Sequence, residues 1–117
     1  MCGIYGAVNP SGITPLNRTA VDRLGRHLLH RGPDGSGSIT EPGAYLGMNR
    51  LSIMDVENGG QPFWSENQRF GVLGNGESYN AHILRLQLKE LGHTFHSTSD
   101  MEVIPHLLGV HGLAAIN

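Results

Sequence analysis

Short apolar stretches alternate along the chain with glycine-rich punctuation, and the period of the apolar positions changes from one stretch to the next. Residues 2–8 are small and apolar, with Ile4, Ala7 and Val8, and read as a buried strand. Asn9-Pro10-Ser11-Gly12 is a turn cluster. Thr14 followed by Pro15 has the chemistry of an N-cap with proline at the first helical position. Leu16, Ala20, Leu24 and Leu28 then recur on one helical face, and Gly32-Pro33 ends that helix. Residues 34–43, rich in Gly and Ser, are loop or hairpin. Residues 44–48 and 51–54 are short strand candidates separated by Asn49-Arg50, and Asn58-Gly59-Gly60-Gln61-Pro62 is a loop.

Residues 70–73 form a further strand candidate that runs into Gly74-Asn75-Gly76. Asn80 can cap a helix in which Ala81, Leu84, Leu88 and Leu91 share a face, closed by Gly92. Ser99 and Glu102 have capping-box spacing ahead of Val103, Ile104 and Leu107. Pro105 lies inside that last helix and predicts a kink. Leu113-Ala114-Ala115-Ile116 reads as the start of another buried strand, so the pattern expects more chain beyond Asn117. Strands mixed with helices predict an α+β domain, and 117 residues suffice for one domain with a modest core.

Composition and charge mainly exclude. The formal charge is −2, and no basic stripe of the kind that grips nucleic acid is present. No apolar run approaches the roughly 20 residues a membrane helix needs. No basic segment followed by an apolar one opens the chain, so no signal peptide is read. The single cysteine allows no internal disulfide and fits a reducing, cytoplasmic location.

That cysteine lies directly after the initiator Met. If Met1 is removed, one residue carries both a thiol and a free α-amine, a nucleophile and a base suited to neutral pH. Against this stands the plainer reading of Cys2 as a small hydrophobe in a strand. Asn75 and Gly76 follow a predicted strand and offer a side-chain amide and a backbone N–H to a developing oxyanion, although Asn-Gly is also a common turn dipeptide. Arg50 has a planar fork suited to a carboxylate, and Asp100 is an acid able to hold an ammonium. Together they supply what an amino-acid substrate with a side-chain amide requires.

In order along the chain, Met1-Cys2-Gly3-Ile4-Tyr5-Gly6, His30-Arg31-Gly32-Pro33-Asp34, Arg50-Leu51-Ser52-Ile53-Met54-Asp55, Gln61-Pro62, Asn75-Gly76-Glu77-Ser78-Tyr79-Asn80 and Ser99-Asp100-Met101-Glu102-Val103-Ile104 resemble the class II glutamine amidotransferases of the asparagine synthetase branch. These are N-terminal nucleophile hydrolases. The resemblance spans essentially the whole chain. It implies an αββα four-layer sandwich, here incomplete at the C-terminal end, with residues 1–117 forming a truncated glutaminase domain. It further implies that Cys2 attacks the glutamine side-chain amide through a thioester, that its α-amine shuttles the proton, and that Asn75 and Gly76 form the oxyanion hole. Arg50 would bind the α-carboxylate, Glu77 and Asp100 the α-amino end, and Leu51, Ser52, Ile53 and Met54 would line the pocket.

The same resemblance implies L-glutamine as ligand and an ATP-dependent synthetase domain or subunit as partner, with homo-oligomerisation left open. No cofactor is expected within this domain. ATP and Mg would belong to the absent synthetase domain, since no Ser-Gly-Gly or Gly-Lys-Ser/Thr phosphate loop occurs. The chain departs from the family pattern at Gly74, normally a larger apolar residue, at Ser78, normally Ile, and at Pro105. His30 is the rival base of a Cys–His hydrolase, but the family makes no use of it as a base, so a structural, hydrogen-bonded role is expected. His27 with His30 and His93 with His96 are spaced by three, but zinc usually wants four ligands, so no metal is assigned. The alternative function is a truncated or degenerate glutaminase that binds glutamine or a partner without turnover.

Overall fold

The structure, a computed structural model, describes residues 1–116. Its element order is strand β1 (Gly3–Val8), helix α1 (Pro15–His27), strands β2 (Gly35–Glu41), β3 (Ala44–Arg50), β4 (Phe63–Trp64) and β5 (Gly71–Val72), then helices α2 (Ala81–Glu90) and α3 (Val103–His111). Short 3-10 turns cover Leu29–Arg31, Asp100–Glu102 and Gly112–Ile116.

Thr14 starts α1 as expected. Its hydroxyl accepts from the Asn17 N–H while the Asn17 side chain accepts from the Thr14 N–H, a reciprocal cap worth about 1 kcal/mol. The buried face of α1 is not the leucine row, however. Leu16 and Leu24 are exposed, and Val21 and Gly25 face the sheet. The reason is Tyr5. Its ring fills the space that a Cβ on Gly25 or Gly47 would need, with approaches of 2.5 and 2.3 Å, so two side-chain-free positions clamp one aromatic between α1 and β3. The sheet presents a ring where the leucine row would need a groove.

The first sheet is antiparallel with order β1-β3-β2. The segment 34–43 resolves into β2 and its turn, paired to β3 from Gly35 opposite Arg50 to Glu41 opposite Ala44. Strand β3 runs unbroken through Asn49 and Arg50, where a break between two strands was expected. Residues 51–54 form no strand but leave the sheet as a loop. Strand β1 is only partly buried, because Ile4 and Val8 point outward and α1 covers one face alone.

The second half is built on a small hairpin and two helices. Phe63 pairs with Val72 and Trp64 with Gly71, and β4 was not anticipated from the sequence. An added Cβ on Gly71 would lie 3.0 Å from Ile39 Cδ1, so β5 lies close to β2 of the first sheet. Helix α3 packs on β4, β5 and α2. The core here joins Ala81, Leu88 and Val103 with Leu84, Phe95, Ile104 and Leu107, as the apolar spacing predicted, while Leu91 lies outside it and is exposed. Gly92 ends α2 with φ of 93°, and the Gly92 and His93 N–H groups donate to Lys89 and Leu88 carbonyls at 3.0 Å. That is a Schellman turn, which only a residue free of the left-handed penalty closes cheaply.

Three local expectations are corrected. Ser99 and Glu102 make no capping box, because the Glu102 carboxylate is taken by other donors. Pro105 falls in the first turn of α3, where an N–H has little to donate to, so the predicted interruption does not arise there. Residues 113–116 belong to the 3-10 turn Gly112–Ile116, with Leu113 and Ile116 exposed, rather than to a buried strand. Asn117 lies outside the described residues.

Candidate active site

The register of the first sheet brings the site together. Gly3 is opposite Asn49, so one further step places Cys2 beside Arg50 and Leu51 at the end of β3. The Cys2 thiol donates toward the Leu51 carbonyl at 3.8 Å and the Leu51 N–H donates to Sγ at 3.3 Å. The backbone of one residue, Leu51, thus holds the thiol through both its N–H and its carbonyl. The Cys2 carbonyl accepts from Arg31 Nε at 3.4 Å, which ties the turn after α1 to the same residue.

The second half supplies the opposite wall. The Cys2 backbone N–H donates to Asn75 Oδ1 at 3.2 Å. With that oxygen occupied, the Asn75 NH2 is the end left to donate elsewhere. Gln61 holds the approach to Asn75: its Nε2 donates to the Gly74 carbonyl at 3.0 Å and its Oε1 accepts from the Gly74 N–H at 2.7 Å. Gly74 itself is explained by Met101, whose Cε would lie 1.8 Å from a Cβ there. The space beside Gly74 is thus filled by a side chain from the 3-10 turn Asp100–Glu102.

Between these walls lies a cleft of about 290 Å3 lined by Cys2, Arg50, Leu51, Ile53, Met54, Asn75, Gly76, Glu77 and Asp100, among others. That is the scale of a small-metabolite site. Of the residues that the resemblance places in the glutamine pocket, Ser52 alone is not on the wall. Its N–H donates to Asp34 Oδ2 at 2.8 Å, which anchors the loop behind the cleft. Arg50 is also more committed than the sequence suggested. Its Nη2 donates to Met54 and Asp55 carbonyls at 2.7 and 2.8 Å, and Nη1 to Val56 at 3.3 Å. Among the described residues these bonds use three of the five guanidinium N–H groups. One Asp100 oxygen accepts from the Ser78 N–H at 2.6 Å and the other remains free of that bond.

Asp55 braces this loop from outside, with φ of 44°. The Thr98 N–H, at 2.6 Å, holds its carboxyl below the ordinary aspartate range, and the Asn58 N–H adds to this. His30 Nδ1 donates to the His27 carbonyl at 2.9 Å, and His30 does not line the cleft. Met1 also lines the cleft, and the Cys2 nitrogen is here a peptide nitrogen.

Arg31, Asp34, Gln61, Ser99 and Met101 were not assigned site roles from the sequence. Arg31, Asp34 and Gln61 lie within motifs that resembled the family, but their partners are 13 to 29 residues away and nothing local marks them.

Among the described residues no helix is long and apolar enough to cross a membrane. The chain is 43% identical over 117 residues to a glutamine-hydrolysing asparagine synthetase of Sandersonia aurantiaca, covering all of this chain and 22% of that protein. It is 42% identical over 112 residues to asparagine synthetase 2 of Arabidopsis thaliana, covering 96% of this chain and 19% of the relative. It is 40% identical over 109 residues to asparagine synthetase 1 of Bacillus subtilis, covering 89% and 17%. The chain therefore spans about a fifth of the length of the curated relatives it matches. The sequence pattern of the glutamine amidotransferase domain matches residues 1–117, and with the relatives it shows that this chain belongs to the glutamine amidotransferase domain family.

Proposed function

We propose that this domain hydrolyses the side-chain amide of L-glutamine and that Cys2 is the nucleophile. The observation that carries the reading is the Cys2 thiol held by the Leu51 peptide, with Asn75 on its nitrogen, in a cleft that also contains Arg50, Glu77 and Asp100. With Met1 removed, the α-amine of Cys2 takes the thiol proton as sulfur attacks the amide carbon. The oxyanion is met by the Asn75 NH2 and the Gly76 N–H. Collapse breaks the C–N bond, the amine returns the proton to the leaving nitrogen, and ammonia departs. Water then cleaves the thioester to glutamate and restores the thiol.

Arg50 receives the substrate α-carboxylate, and Glu77 and Asp100 the α-ammonium. Leu51, Ile53 and Met54 enclose the aliphatic chain, and Ser52 positions the loop. The relatives bear the name asparagine synthetase, which supports passing the ammonia to an ATP-dependent synthetase domain or subunit that uses Mg and amidates an acceptor carboxylate. The layered order of α1, the three-stranded sheet, the β4–β5 hairpin and the helix pair α2 and α3 supports the αββα sandwich.

The test is to incubate the purified chain with glutamine, measure glutamate and ammonia, and record intact mass. Processed protein releases the two in equal amounts, and Cys2→Ala lowers the rate by about 10³-fold or more. Processed, folded protein no faster than Cys2→Ala overturns hydrolysis. Retention of Met1 ties the amine into a peptide, and such protein would then bind glutamine without turnover.

A further inference from the structure

On the far side of the walls that form the cleft, three side chains from three separate elements converge. Glu66 sits in the turn of the β4–β5 hairpin, His93 in the Schellman turn that ends α2, and His106 on the buried face of α3. His93 Nδ1 is 3.2 Å from His106 Nδ1 and 3.4 Å from Glu66 Oε2, and the three ligand atoms all lie within 4.8 Å of one another. A tetrahedral ion with bonds of about 2.0–2.1 Å to nitrogen sets neighbouring ligand atoms roughly 3.3 Å apart. Two of the three spacings already match, and the exposed Glu66 carboxylate closes the third by a small swing.

We propose that Glu66, His93 and His106 form a binding site for a divalent transition-metal ion of the zinc type. Two imidazoles and one carboxylate are a borderline donor set that suits Zn2+ and its neighbours rather than Mg2+ or Ca2+. Three protein ligands leave the fourth position for water, so the shortage that counts against a four-ligand structural site does not apply. The ligands are also oriented from behind. The Thr94 N–H donates to Glu66 Oε1 at 3.0 Å, which turns Oε2 toward His93, and the Phe95 ring lies 4.5 Å from the His106 ring. Such outer contacts are what fix ligand orientation in metal sites. In the metal-free chain the two Nδ1 atoms share one proton. On binding, that proton moves to the Nε2 of the same ring and both Nδ1 lone pairs face the ion.

The pairing that sequence spacing offered, His93 with His96, is not the one the fold assembles: the His96 N–H is given to Glu102 instead. The ion would fasten the hairpin to the connection between α2 and α3. That connection leads directly into Ser99 and Asp100 of the cleft, while Gly60 and Pro62 line this side and Gly59 and Gln61 the other.

Zn2+ titrated calorimetrically into the full chain tests the assignment, with Co2+ as a spectroscopic probe. One ion per chain is expected, with the visible absorption of four-coordinate Co2+ and without a thiolate charge-transfer band. Glu66→Ala, at an exposed position, weakens Zn2+ binding at least tenfold, and His93→Gln about 100-fold, with the circular dichroism of each variant unchanged. Cys2→Ala binds as wild type. Absence of binding to wild type, wild-type affinity in either ligand variant, or a cobalt spectrum that depends on Cys2 overturns the site.

Discussion

At the scale of single residues, the chemistry turns on which atoms are already spoken for. Asn75 spends its side-chain oxygen on the Cys2 nitrogen, and this leaves its NH2 to donate. In the proposed reaction, Asn75→Ala therefore lowers kcat by about 10²- to 10³-fold. Glutamine binding, measured by calorimetry in a Cys2→Ala background, changes far less, because the donor meets charge that develops only at the transition state. An unchanged kcat would remove Asn75 from the oxyanion hole. Cys2 was singled out by its place after Met1 and Asn75 by its place after a strand, and the fold brings the two together at one cleft. Arg31 and Gln61 were not, because a guanidinium or an amide that binds a remote backbone carbonyl has no local signature. Arg50 was read as a carboxylate fork, and in the fold it makes three bonds to the 54–56 carbonyls that depend on the loop's path.

Among the elements, α3 is the one most dependent on a buried charge. Glu102 is 4% exposed and accepts from the His96 N–H at 2.8 Å and from the Ser97 N–H and hydroxyl at 3.0 and 2.7 Å, with Arg85 Nη1 at 3.5 Å. Burial alone would raise its carboxyl pKa, but these donors and the Arg85 charge together carry it below the usual glutamate range. Glu102→Gln puts an NH2 where donors already point and costs about 2–4 kcal/mol in urea unfolding. A loss below 1 kcal/mol would show that the segment 96–102 does not depend on the charge. The spacing of Ser99 and Glu102 suggested a local cap instead. Capping spacing marks a carboxylate near a helix start, but whether it turns back to its own N-cap depends on which donors the preceding loop delivers.

Across the whole molecule, the first sheet with α1 and the hairpin with α2 and α3 meet around the cleft, and Asp55 bridges them by accepting from Thr98. Its carboxyl is held below 3.8 chiefly by that N–H, so the linkage sign is fixed: the bridge contributes fully above about pH 3.8 and is lost as pH falls through the lower folded value. Melting temperatures of wild type and Asp55→Asn should differ at neutral pH and converge as the pH is taken below 3.8. A constant gap down to pH 2 would show that the charge carries none of the coupling.

The sequence by itself determined the family, the mixture of helix and strand, the start of α1, the apolar positions that α2 and α3 bring to one core, and the candidate side chains that the fold gathers. These depend on residue type and short spacing, which a linear pattern preserves. Only the tertiary structure decided that β3 runs on to Arg50, that residues 51–54 leave the sheet, that Gly25 rather than a leucine meets Tyr5, and that His93 meets Glu66 and His106. Those outcomes follow from strand register and from the packing of distant surfaces. There the partner atoms, not the residue's neighbours in the chain, set the lowest free energy.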